Sequence, residues 1–101
     1  AGTGADRAGV SLLVSPRRYS NEELSQLALV STAVKCECPK HLAELITDLV
    51  AFERYSSECE NRNLKDAALH AYLHATASHA RNLIEDALAH VIEVEGIQLD
   101  A

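Results

Sequence analysis

A chain of 101 residues holds one small domain, and its hydrophobic share of 48% with only 4% aromatics means a core built from Ala, Leu, Ile and Val. A formal net charge of -6 leaves no basic excess to release counterions from phosphate, which excludes free association with DNA or RNA through the chain's overall field. No run of about 18 apolar residues is present, so no membrane span is predicted. The three cysteines are an odd number, which points to reduced thiols in a cytoplasmic setting rather than to a disulfide scaffold. The sequence has no Met and no basic-then-apolar leader, so it is expected to be part of a longer protein and to lack a secretory signal.

Residues 1–15 read as a linker or flexible tail, and residues 16–101 as a single helical domain. Ser20 is a natural N-cap, and Glu23 three positions later completes a capping box. A first helix is predicted over 20–34, with Leu24, Leu27, Ser31 and Val34 on one stripe. The segment "KCECP" interrupts it, and Pro39 suits the first turn of a second helix, where its missing N–H costs nothing. Leu42, Leu45, Leu49, Phe52, Ser56 and Cys59 then follow a 3-4-3-4-3 spacing, which predicts a core stripe on a helix over 39–60, widened by Ile46 and Val50. After the polar turn "ENRN", Asn63 caps a third helix predicted over 64–95, with Gly96 as its C′ residue. Along it Leu69, Leu73, Thr76, Ala80, Leu83, Ala87 and Val94 trace a heptad-like seam.

The expected fold is all-α: a helical bundle built on a long antiparallel helix hairpin with one shorter N-terminal helix, and dimeric. At 1.5 Å per residue the third helix is roughly 48 Å long and the second roughly 33 Å. The overhang "DALAHVIEVEGI" is apolar on a wide face that includes Val91 and Ile92. The first helix and a second copy of the chain are both expected to cover it, giving a homodimer through helix 64–95.

Residues 17–50, "RRYSNEELSQLALVSTAVKCECPKHLAELITDLV", resemble the second half of a MerR-type DNA-binding module. In that family an R-x-Y-type element closes the wing, a Ser-capped helix with regular Leu follows, and a short turn leads to a further helix before a long dimerisation helix. Arg17, Arg18, Tyr19, Ser20, Leu24, Leu27 and Val30 match in order, and His41, Leu42, Leu45 and Ile46 open the next helix. The family's helix-turn-helix would precede the Arg-Tyr element, where this chain has sixteen linker-like residues, and "CECP" replaces the usual turn glycine. The resemblance therefore implies the effector or dimerisation side of a transcriptional regulator, reaching DNA only through a missing upstream domain.

Cys36, Cys38 and His41 are the first chemistry candidates. Thiolates and imidazole suit a thiophilic metal ion such as Zn, and a C-x-C-x-x-H spacing at a helix start aims three ligands at one point. The end of the third helix would bring His90 as a fourth ligand, and the helix dipole would make the two thiols unusually acidic. The plainer reading of the same residues, and the favoured one, is small turn residues with a surface histidine. A second candidate cluster is Glu53, Cys59, His70 and His74, the two histidines one helical turn apart. Its plain alternative is a solvated polar face, on which Glu53 is most simply in water. Tyr55 and Tyr72 flank the same end, as core packing or as pocket lining. Arg17, Arg18 and Tyr19 are candidates for phosphate contact or for local salt bridges. No phosphate loop, nucleophile elbow or paired catalytic carboxylates occur, so the chain is not expected to be an enzyme. The functional expectation is a regulatory, sensor or dimerisation domain of a MerR-like regulator. A stand-alone metal- or thiol-sensing helical protein, and a structural interaction module, are the alternatives.

Overall fold

Local capping decides where the helices begin and end. The computed structural model describes residues 15–29, 36–62 and 64–99. Its elements are α1 (Asn21–Leu29), α2 (Cys38–Arg62), a 3-10 turn (Leu64–Asp66) and α3 (Ala67–Glu95), with no strand among the described residues. The fold is all-α. At α1 the Glu23 N–H donates to Ser20 Oγ at 3.1 Å and the Ser20 N–H donates to Glu23 Oε1 at 2.9 Å, a reciprocal capping box. α2 starts one residue earlier than expected, because the Glu37 carbonyl already accepts the His41 N–H at 3.0 Å, and Pro39 sits in the first turn. α3 starts three residues later than expected, after the 3-10 turn. Gly96 ends it at φ +67°, with the Ile97 N–H reaching back to the Ile92 carbonyl at 3.0 Å. The predicted helical residues 30–34, the Asn63 cap and the tail over 1–14 lie outside the described residues.

The apolar core gathers where α1, the first half of α2 and the last third of α3 meet. Leu27, Ile46 and Leu88 are fully buried there, with Tyr19, Leu24 and Ala43 around them. Each of the three large aliphatic side chains contributes about 1.5–3 kcal/mol of burial. Ile92, Ile97 and Leu99 pack on the same cluster. This agrees with the expected cover of the last turns of the third helix by the first helix. Leu24 and Leu27 of α1 share one cluster with Leu88 of α3, and Ile92 packs against it. Ile92 is therefore part of the protomer's own core rather than a free dimer surface.

The buried stripes are also shifted from the predicted ones. On α2 the buried residues are Pro39, Ala43, Ile46, Glu53 and Ser56, and on α3 they are Ala77, Ser78, Arg81, Glu85 and Leu88. Of the predicted stripe on α2 only Ser56 is fully buried, whereas Leu45 and Phe52 are exposed. The reason is the width of the apolar arc. Each long helix carries more apolar surface than one neighbour covers, and α1 with the segment before it claims one edge.

Candidate functional site

The middle of the molecule is held by charge. Arg81 is 1% exposed, and Glu53 and Glu85 are 8% and 0% exposed. The Arg81 guanidinium forks onto Glu53, with Nε to Oε2 at 2.6 Å and Nη2 to Oε1 at 3.2 Å, and its Nη1 donates to Glu85 Oε1 at 3.0 Å. The remaining donors leave the helices. Nη1 donates to the Pro16 carbonyl at 3.2 Å and Nη2 to the Ser15 carbonyl. The Ser15 N–H donates to Ser78 Oγ at 2.7 Å, and the Arg18 N–H donates to Glu85 Oε2 at 2.9 Å. Residues 15–18 thus form a strap bound through their backbone to α3. Burial alone would lower the Arg81 pKa, but the hydrogen bonds and charge of Glu53, followed by those of Glu85, outweigh it and raise it. Sequence reasoning placed Glu53 in water and passed over Ser78, Arg81 and Glu85. The available signal was that these residues share the α3 face of Leu88, one step round from the apolar seam.

The exposed surface carries the apolar seams. On α2 the surface near α1 includes Ala43, Thr47 and Asp48, and on α3 the strap is held by Ser78, Arg81 and Glu85. Counting round each helix, the seam through Leu69, Leu83 and Val94 lies on the edge of α3 away from the strap, and the seam through Leu45, Phe52 and Tyr55 lies beside the buried face of α2. These six side chains are 42–68% exposed. The Phe52 and Tyr55 rings stack on one another at a centroid distance of 6.4 Å, so neither serves the core as predicted. Tyr72 is also exposed.

The predicted ligand sets are only partly assembled. Cys36 and Cys38 come together, with Sγ atoms 2.8 Å apart and both residues exposed. His41 instead stands between two carboxylates, Glu37 at 3.4 Å and Glu44 at 3.8 Å, and His90 is exposed on α3. The Cys38 thiol pKa is raised, first by its hydrogen bond with Cys36, then by the Cys36 charge, by burial and by Glu95. This reverses the acidity expected from the helix dipole, because a second thiol and a nearby carboxylate oppose loss of the proton. In the second set, Glu53 and His74 share a cleft of about 330 Å³ with Arg17, Arg54 and Glu58. Cys59 stays apart beside Tyr55, whose phenol pKa it raises by a hydrogen bond and by its charge. The Nδ1 of His70 is buried without a hydrogen-bond partner. Among the described residues no group of three or more His, Cys, Asp and Glu side chains is placed to hold a metal ion.

The Arg-Tyr element is used within the chain. Arg17 Nη2 donates to the Tyr19 carbonyl at 3.0 Å and to Asn21 Oδ1 at 2.8 Å, and Arg18 pairs with Asp86 at 3.1 Å on the surface. Tyr19 is buried in the core, and its phenol pKa is raised chiefly by that burial; Arg18 opposes the rise, and Glu85, Glu23 and Asp86 add to it. No described helix is long and apolar enough to cross a membrane. No protein-family model, curated protein or solved structure matches the chain.

Proposed function

We propose that this chain is the regulatory and dimerisation part of a transcriptional regulator of the MerR type, with α2 and α3 as an antiparallel hairpin and a second copy seated on its uncovered face. The observation that supports the reading is that face. Two heptad-spaced seams lie outside the buried faces of α2 and α3, and together they present Leu45, Phe52, Leu69 and Leu83 to solvent. Six large side chains exposed by 42–68% amount to roughly 500 Å² of apolar surface, using about 150–250 Å² for a large side chain. A stable interface buries about 800 Å² per partner, and an exposed patch larger than a few hundred Å² marks an interaction site. The half-buried Leu49, Leu73 and Ala80 lie on the same seams and add to the total. Two such hairpins packed face to face make a four-helix bundle with knobs-into-holes seams.

With a net charge of -6, the chain leaves DNA contact to a domain upstream of residue 1. The backbone of residues 15–18 is fixed to α3 by Arg81, Ser78 and Glu85. Light scattering on the purified chain tests the dimer. A mass twice that of the chain is expected, falling to the single mass in Phe52→Glu/Leu83→Glu with helical circular dichroism retained, since both side chains are exposed in the protomer. A monomeric unmodified chain refutes the pairing. For the regulator, a monomeric DNA-binding domain fused ahead of residue 1 is expected to gain operator affinity, and to lose that gain with the same two substitutions.

A further inference from the structure

We propose that Cys36 and Cys38 form a reversible intramolecular disulfide, so that the turn entering α2 is a two-electron thiol switch driven by small disulfides such as oxidised glutathione. The proposal stands on the placement of the two sulfurs. Their Sγ atoms are 2.8 Å apart, inside ordinary van der Waals contact, and both residues are open to solvent, so a small oxidant reaches them without any opening of the fold. The third cysteine offers no competing partner. Cys59 lies about six turns further along α2, beside Tyr55 and with the Arg62 guanidinium 3.9 Å from its sulfur.

The two thiols have different roles. The Cys38 N–H donates to Cys36 Sγ at 3.3 Å. The Cys36 thiol lies against the other sulfur, donating to Cys38 Sγ at 2.8 Å, and the raised pKa of Cys38 holds that residue in its protonated form. Cys36 is therefore the attacking sulfur and Cys38 the resolving one. The Cys36 thiolate attacks one sulfur of glutathione disulfide, forming a mixed disulfide and releasing one glutathione thiolate. Cys38 gives its proton to solvent and attacks Cys36 Sγ, forming the Cys36–Cys38 bond and releasing the second glutathione thiolate. The protein loses two electrons and the two thiol protons, and glutathione disulfide gains the electrons. A disulfide closed across one intervening residue makes a small, solvent-exposed ring. Strained and exposed disulfides are the readily reduced, regulatory kind, which is what reversibility requires. Cys38 is the first residue of α2 and its neighbour Pro39 is buried, so the ring closes directly on the helix start.

The test uses the full chain incubated with excess oxidised glutathione, quenched in acid, alkylated and cut with trypsin. Lys35 and Lys40 bound a peptide over 36–40 that carries both thiols, and Arg54 and Arg62 bound one that carries Cys59 alone. The expected product is an unalkylated 36–40 peptide lighter by two hydrogens, restored to the doubly alkylated form by dithiothreitol, with Cys59 alkylated throughout. In Cys38→Ser the mixed disulfide has no resolving thiol, so one glutathione is expected to persist on Cys36. The proposal is overturned if the unmodified chain ends with glutathione still attached to either thiol, with both thiols still alkylatable after prolonged oxidation, or with a bond to a second chain in place of the internal one.

Discussion

Replacing Arg81 with Met removes the guanidinium that binds two buried carboxylates and the strap. The side chain is nearly isosteric along its stem, so packing loss is small and the electrostatic consequence dominates. Glu53 and Glu85 would be left at 8% and 0% exposure without the guanidinium that binds them, and the Ser15 and Pro16 carbonyls would lose their donors. Breaking a buried pair from one side costs about 3–5 kcal/mol. A domain of this length has about 5–15 kcal/mol in total, so Arg81→Met is expected to lose a large part of its stability. Removing the whole charged set should cost far less. The triple variant Glu53→Leu/Arg81→Met/Glu85→Gln leaves no buried charge, and the new side-chain amide would keep an acceptor oxygen for the Arg18 N–H, which now donates to Glu85 at 2.9 Å. It is expected to recover to within about 1 kcal/mol of the unmodified chain. Urea unfolding followed by helical circular dichroism measures all three. The reasoning fails if Arg81→Met lies within about 0.5 kcal/mol of the original, or if the triple variant is no more stable than the single one.

Three further outcomes follow from the same geometry. Ser20→Ala removes the side-chain acceptor for the Glu23 N–H and should cost about 1 kcal/mol, with part of that cost shared with Glu23→Ala in a double-mutant cycle; strictly additive effects would deny the capping box. Gly96→Ala meets nothing within 4 Å, so its whole cost is the left-handed backbone at φ +67°, about 1–2 kcal/mol, and calorimetry should show the melting point fall by several degrees. The Tyr19 phenol is raised in the folded chain above its ordinary value near 10, so its contribution is intact below pH 10 and is lost as pH rises through the folded pKa. The slope of stability against pH above 10 should therefore be shallower in Tyr19→Phe, and equal slopes would remove Tyr19 from the account.

The start of α1 and the end of α3 were legible in the sequence because capping is local. Ser20 and Glu23 lie within one turn of each other, and the Ile92–Ile97 closure needs only a residue at 96 that tolerates a positive φ. The all-α class and the first-turn place of Pro39 follow from the same short-range rules. Half of the thiol site was legible for the same reason, since the two cysteines are one residue apart and the local turn entering α2 is enough to bring them together. His41 and His90 did not join them, because their surroundings depend on the carboxylates Glu37 and Glu44 and on the packing of α3. The choice of buried edge was likewise decided by tertiary structure. Periodicity marks an apolar arc on α2 and α3 but not which side of it a neighbour will cover, and α1 with the strap took the side of Ile46 and Leu88 and left Phe52 and Leu83 in water. The ionic centre was the least legible part. Glu53 and Arg81 are 28 positions apart and look solvated one at a time; only the packing of α2 on α3, with the backbone of residues 15 and 16 brought against them, supplies the partners that let these charges leave water.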